Sequence, residues 1–409
     1  MNPMNPIIPA HNAVVLASAG TGKTWLLVTR IIRLLLEGAP PAAILAITFT
    51  RKAALEMQER LAQRLLELAS LEEPELDTAL ATLGLPADAT QRERVRGAYE
   101  ALLKNEHGPR ITTFHAFCQE LLRRFPLETD APSGFELIEN AGVLAQAALE
   151  ALLSEATQAP DSAAAHTLDC LMQHANGAEG VRTLLLRFLG QRSDWWAYTE
   201  GSPDPATHAT QLLHQQLRVD NSSTLAEDFF IADTLAQLAE FATLLQQHPN
   251  ASNTRDAELI HAALSDHKTT AADFDLISRV FITDKGTARI RKASNELSKK
   301  LGDAGAARLL ALHHQLSDLI LHVLEMEARR TTLALSSAWF SSGTRLLQHY
   351  QRIKTEQRLL DFSDLEWKAS QLLRNSDNAL WVQYKLDQRI DHLLVDEFQD
   401  TNPTQWQLL

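Results

Sequence analysis

Two short stretches hold residues whose types and spacing imply chemistry. The first is Ala17-Ser18-Ala19-Gly20-Thr21-Gly22-Lys23-Thr24. A glycine-bearing turn that opens into a helix and ends Gly-Lys-Thr is a phosphate-binding loop. Unpaired N–H groups at a helix N-terminus, backed by the helix dipole, favour an anion. Gly20 and Gly22 let the backbone close around a phosphate. The Lys23 ammonium suits the β- and γ-phosphates of a nucleotide, and the Thr24 hydroxyl suits Mg²⁺. Ala17 stands where the usual pattern has glycine, so its φ is expected to be negative. The second stretch is Leu393-Leu394-Val395-Asp396-Glu397, an apolar run ending in two acids. Beside a phosphate loop, Asp396 is expected in the magnesium shell and Glu397 is expected to polarise an attacking water. Taken alone, two acids at a strand edge would be ordinary.

The elements that must position these residues follow from periodicity. Residues 13–17 read as a buried strand and 23–37 as a helix, which Gly38 and Pro40-Pro41 stop. Ile44 to Thr48 is a second buried strand, followed by a helix from about Lys52 to Ala69. This β–loop–α–β–α opening predicts a parallel sheet with right-handed crossovers. Residues 70–108 read as a helical excursion lying mostly at the surface. Arg110 to Phe114 gives a third strand and then a helix up to Pro126. From about 130 to 355 helical patterns dominate, for example Ala141–Leu153, Leu225–Gln246, Ala306–Leu335 and Ser336–Lys354. The expected fold is α/β: a parallel phosphate-loop sheet interrupted by a large all-helical insertion.

Composition sets limits. The chain has 409 residues and a net charge of −13, so it carries no overall field that attracts nucleic acid. Any DNA contact must therefore be local. The run from Lys285 to Lys300 holds six basic residues and only Glu296 as an acid, which fits either a backbone contact or a solvated face. Trp195-Trp196 reads as packing within the insertion. Two cysteines, Cys118 and Cys170, lack metal spacing and point to a reducing cytoplasm. No positive region precedes Lys23 as a secretory signal requires, and Arg30 and Arg33 break the best apolar run, so no membrane association is expected.

Five segments in order resemble superfamily 1 helicases of the UvrD/Rep/RecB type. They are the loop at 17–24, Thr48 to Met57 (motif Ia), Thr112 to Cys118 (motif Ib), Leu360-Asp361-Phe362-Ser363-Asp364-Leu365, and Asp396-Glu397-Phe398-Gln399-Asp400 (motif II). The form of the loop and the long helical stretch lean towards the RecB/AddA branch. The resemblance implies ATP and Mg²⁺ as cofactors and places Gln399 near the γ-phosphate. It also implies DNA contacts by Thr48, Phe49, Thr50, Thr113, Phe114 and His115. Hydroxyls and N–H groups suit phosphate oxygens, and a ring suits a base face. Core packing would account for Phe49 or Phe114 taken alone. Residues 1–125 and 355–409 would form the RecA-like domain and 126–354 the insertion.

The resemblance implies a motor that steps 3′→5′ along DNA in recombination or double-strand-break repair, acting at single strands and single/double-strand junctions. A second nuclease-helicase subunit is the implied protein partner. No glutamine precedes the loop, where the family often reads adenine. The second RecA-like domain and its arginines are not among these residues, so a fragment or truncated product is expected, nearly inactive by itself. The competing readings are another phosphate-loop ATPase, such as a kinase or loader, and a docking subunit without motor activity.

Overall fold

The computed structural model describes residues 7–16, 22–104, 108–129, 131–199, 202–219, 223–265, 269–292, 294–374 and 378–408. Ala17 to Thr21 of the phosphate loop lie outside the described residues. The chain divides into two compact units: residues 1–150, 191–197 and 348–409, and residues 151–190 and 198–347.

The first unit is built on a small parallel sheet of three strands, β1 (Ile44–Thr48), β2 (Arg110–Thr113) and β5 (His392–Val395), in the order β2-β1-β5. Ile47 lies opposite both Thr112 and Val395, so the three C-terminal ends share one edge. All five residues of β1 are buried, as a central parallel strand covered on both faces requires. β3 (Glu136–Leu137) and β4 (Leu359–Leu360) form a second, two-stranded parallel pair.

Helix α1 (Lys23–Glu37) buries Val28, Ile31, Ile32 and Leu36, one helical stripe, against the sheet. It ends at Gly38, whose φ of 98° is left-handed and directs its own N–H and that of Ala39 back to Leu35 and Leu34. Helix α2 (Arg51–Ser70) begins with a Thr50 cap and packs on α1. Helices α3 (Glu73–Thr82) and α4 (Ala89–Lys104) lie mostly at the surface, as their polarity suggests, but each anchors a narrow apolar stripe. Leu76, Leu80 and Val95 are fully buried in the core of α1 and α2, because each helix keeps an apolar stripe beneath a polar exterior. On the other side of the sheet, α5 (Phe114–Arg124) and the helix Phe362–Arg374 share a core with Leu45 and Ile47.

Two expectations need correction. Residues 13–16 are not a buried strand: Val14 and Leu16 are 82% and 94% exposed. Both edges of β1 are taken by β2 and β5, so this run has no place beside the central strand. Trp196 packs outside the helical stretch expected to hold it. The short helix Arg192–Tyr198 lies in the first unit up to residue 197, where Trp196 stacks on Trp367 at 5.4 Å between ring centroids.

The second unit is helical among its described residues, apart from an isolated antiparallel bridge between Ile282 and Ala288. Its core gathers Phe229, Phe241, Phe274, Phe281, Leu312 and Leu316. Capping boxes at Thr224/Glu227 and Thr270/Asp273 start two of its helices. The two helices expected over 306–335 and 336–354 are one, Asn295–Glu356, interrupted only at Gly302 (φ 71°, ψ 164°). No glycine or proline stands at 335–336 to stop it. Within the basic run, Arg291 pairs with Asp256 and Arg289 donates to the Ile282 carbonyl, while Lys285, Lys292, Lys299 and Lys300 remain exposed. No described helix is long and apolar enough to cross a membrane.

Candidate functional site

Lys23, the first residue of α1, meets the residues that follow β5. Its Nζ lies 2.8 Å from Oε1 and 2.9 Å from Oε2 of Glu397. The Gln399 amide donates to the same carboxylate. The hydrogen bond to Glu397 raises the Lys23 pKa above its ordinary value, and bonds from Lys23 and Gln399 hold Glu397 below its own. Both side chains are reached by water, so the pair matters for where it puts the groups more than for stability. Lys23, Glu397 and Gln399 thus come together.

Glu397 is itself unusual. Its φ of 47° and ψ of 39° are left-handed, a conformation uncommon for any residue but glycine and costing about 1–3 kcal/mol. With this turn the chain leaves β5 and the carboxylate faces Lys23. Nothing in the local sequence signals it.

Asp396 ends the strand ladder, donating its N–H to Ile47 at 2.9 Å. Its half-buried carboxylate accepts the Glu397 N–H at 3.0 Å. Burial first, and then the like charge of Glu397, push its pKa above the usual carboxylate range. A carboxyl under that pressure is one that a divalent cation would keep ionised. Thr24, on the first turn of α1, adds a hydroxyl. One carboxylate and one hydroxyl fit Mg²⁺, which takes few protein ligands and completes its octahedron with water and phosphate oxygens. Among the described residues no cluster of three His, Cys, Asp or Glu offers an all-protein metal site.

A second group of residues lies along the same sheet edge. Thr48 and Thr113 end β1 and β2 in register. The Thr50 hydroxyl accepts the Ala53 N–H at 3.0 Å, and the Thr113 hydroxyl accepts the Ala116 N–H at 3.2 Å, each capping the helix that follows. A capping hydroxyl still has its own O–H to donate. Phe49, Arg51, Thr113, His115, Gln119 and Phe362 line a cavity of about 160 Å³.

Two of the residues expected to touch DNA have buried side chains. Thr48 is fully buried, and its hydroxyl donates to the Thr50 carbonyl at 3.1 Å. Phe114 is 1% exposed and packs with Leu45, Ile47, Phe117 and Leu121. It falls on the apolar stripe of α5 at i, i+3 and i+7, which turns it inward.

His115 does more than line the cavity. Its Nε2 lies 2.8 Å from Oε1 of Glu366, and its ring sits 4.5 Å from that of Phe362. Glu366 is buried and accepts two more donors: Asn402 Nδ2 at 2.9 Å on Oε2 and Gln405 Nε2 at 2.5 Å on Oε1. Burial works to raise the Glu366 pKa, but His115, Asn402 and Gln405 together outweigh it and hold the carboxylate ionised. Asn402 and Gln405 also cap each other, N–H to side-chain oxygen in both directions at 3.1 and 2.8 Å. None of these three residues is among the candidates drawn from the motifs. The spacing Asn402-x-x-Gln405 is a usable capping signal; Glu366 has none.

The Asp361-to-Leu365 segment holds a different structure. Lys354, 1% exposed, donates to Asp361 at 2.9 Å and also to Asp364. Arg192 and the Tyr350 hydroxyl complete the shell of Asp361, the latter at 2.8 Å. Gln351 donates to Asp364 at 2.9 Å. This is a buried ionic lock joining three helices to β4, with its polar groups turned on one another.

A family model described as the UvrD/REP helicase N-terminal domain matches residues 2–409. The chain is also similar to curated proteins named as ATP-dependent helicase/nuclease subunits of the A type. That of Lactobacillus johnsonii is 23% identical over 96% of this chain and 32% of its own length. That of Lactobacillus gasseri is 24% identical over 96% and 32%. That of Enterococcus faecalis is 24% identical over 98% and 31%. The chain thus spans about a third of the length of the curated relatives it matches.

Proposed function

Because this chain belongs to the UvrD/REP helicase family, we propose that it is the nucleotide-binding region of an ATP-dependent DNA helicase of recombination and double-strand-break repair. The names of its relatives, ATP-dependent helicase/nuclease subunits, support the helicase activity, and the resemblance to the RecB/AddA branch supports the pathway. In this reading residues 1–125 and 355–409 are the RecA-like domain, 126–354 are its helical insertion, and translocation runs 3′→5′. A second nuclease-helicase subunit is the proposed partner, and DNA is the proposed track.

The observation that carries the reading is the Lys23–Glu397 pair, which joins positions 374 residues apart at the end of a parallel strand. A nucleotide phosphate competes with Glu397 for the Lys23 ammonium. Once released, the Glu397 carboxylate is able to orient an attacking water, and Gln399, bonded to it, senses the change. Thr24 and Asp396 would hold Mg²⁺, which when bound neutralises phosphate charge. Thr50, Thr113, Phe49 and His115 offer O–H donors and ring faces to a single strand along the adjacent edge.

For residues 1–409 alone we propose weak Mg·ATP binding and very slow hydrolysis. The family's arginines that reach the γ-phosphate from a second domain are typically worth ~10³–10⁵ in rate. Fluorescent-nucleotide titration and an ATPase assay with and without single-stranded DNA test this. Nucleotide binding without appreciable turnover is the expected outcome. No nucleotide binding would favour a docking role instead, and rapid DNA-stimulated turnover would show that this region suffices.

A further inference from the structure

We propose that Glu366 is a positioning residue that couples nucleotide state to DNA grip, through its simultaneous hydrogen bonds to His115 and to the Asn402–Gln405 turn. The inference rests on the function proposed above and adds the connection between its two halves.

The carboxylate stands between two elements of different expected duty. His115 opens α5 and lines the small cavity at the ends of β1 and β2. Asn402 and Gln405 begin the helix Pro403–Leu408, five to eight positions beyond Glu397. That spacing is not slack. Phe398–Asp400 is a 3₁₀ turn, with the Asp400 N–H bonded to the Glu397 carbonyl at 2.8 Å and the Thr401 N–H to Phe398 at 3.2 Å. The Phe398 ring packs on Trp406 at 4.8 Å. A displacement of Glu397 is therefore carried to Asn402 and Gln405 rather than absorbed between them.

Glu366 cannot let that displacement pass. A buried carboxylate that loses its donors is left as an uncompensated charge, the costliest outcome for such a group. Oε1 is shared by His115 and Gln405, so a shift of the turn changes the bond to His115 directly. Glu366 is not itself one of the expected nucleotide contacts and does not line the cavity, whereas its partner His115 does. Glu366 acts through the groups it holds.

The test uses residues 1–409 and a fluorescein-labelled oligothymidine, titrated with and without saturating Mg²⁺ and a non-hydrolysable ATP analogue. The wild-type chain is expected to bind each ligand and to change its oligonucleotide affinity at least ~5-fold when the nucleotide is present, the lower range of allosteric coupling. Glu366→Gln loses the uniform acceptor character that three donors require. Its linkage is expected to fall below about 2-fold while each separate affinity stays near wild type, a pattern that general loosening does not produce. Asn402→Ala removes one donor at the turn's start and is expected to weaken the linkage in the same direction if the Gln variant fails to fold. Wild-type linkage in a folded variant overturns the proposal, as does a wild-type chain that binds both ligands independently. Failure to bind either ligand instead overturns the function on which it rests.

Discussion

Lys23 and Glu397 share two hydrogen bonds, at 2.8 and 2.9 Å, so the lysine expected to grip a phosphate already grips a carboxylate. The two roles compete. Replacing Glu397 by Gln removes the charge that holds the ammonium while preserving the shape. The variant is expected to bind Mg·ATP at least as tightly as wild type, with a gain of several-fold, and to lose whatever hydrolysis the chain shows. Weaker binding in Glu397→Gln would mean that the carboxylate supports the nucleotide rather than competing with it.

Lys23→Ala tests the other partner. The side chain is part-buried and its one charged partner, Glu397, is reached by water, so the far-UV spectrum is expected to stay at the wild-type value and the thermal midpoint to move little. Fluorescent-nucleotide affinity is expected to fall by at least ~10-fold, the loss of one charged contact to phosphate at about 1.4 kcal/mol or more per decade. A chain that keeps its nucleotide affinity without Lys23 does not use this loop as proposed.

How much of this was legible in the sequence depends on whether the deciding contacts are local. β1 could be read because a central parallel strand is a continuous apolar run, and all of Ile44–Thr48 is buried. Ala13–Leu16 has the same composition, but composition cannot say whether a sheet edge is open to it, and its side chains lie in water. The helix stop at Gly38 followed from glycine chemistry, whereas the stop expected near 335 had no such residue behind it. Of the candidate site, Lys23 and the pair Asp396-Glu397 carried recognisable spacing. Glu366 did not, since it is one acid on an amphipathic helix, and its partners stand 251, 36 and 39 positions away. Phe114 and Thr48 show the converse: motif positions whose side chains the core consumes.

The lock around Asp361 supplies a stability prediction in acid. Burial tends to raise this carboxyl's pKa, but Arg192 and then Lys354 overcome it and hold the group down at about 2, against an ordinary 3.8. A carboxylate depressed on folding contributes stability that is complete above its unfolded pKa and disappears as pH falls through its folded one. The contribution is about 2 kcal/mol, present above pH ~4 and gone near pH 2. Urea unfolding of wild type and Asp361→Asn should therefore show a stability gap that narrows by that amount between pH 5 and pH 2. A gap independent of pH would mean that Asp361 is held for its shape alone.

Lys354→Met asks what the same lock contributes at neutral pH. Methionine fills a similar volume but leaves Asp361 and Asp364 facing one another without their shared cation. Removing one member of a buried ionic group typically costs about 3–5 kcal/mol, because the survivors remain charged and desolvated. Since the lock ties β4 and its flanking helices together, the first unit should open at markedly lower urea, read by the fluorescence of Trp196 and Trp367. A loss under about 1 kcal/mol would show that water reaches the cluster readily.

In the second unit, Gly343 sets two small effects against each other. It lies inside the long helix, where replacing glycine by alanine ordinarily stabilises by about 1 kcal/mol. A Cβ built there would stand 2.6 Å from the Phe188 ring. That ring has little room to give, being 4% exposed and set edge-on to Trp339 at 5.4 Å. Forcing a methyl group into such a contact costs about 1–3 kcal/mol, and the range lies mostly above the propensity gain. Gly343→Ala is therefore expected to be net destabilising by about 1 kcal/mol, whereas Gly343→Ala combined with Phe188→Leu recovers part of the loss by making space. Thermal unfolding of the two variants decides it: a single mutant more stable than wild type would mean that the Phe188 ring moves aside freely.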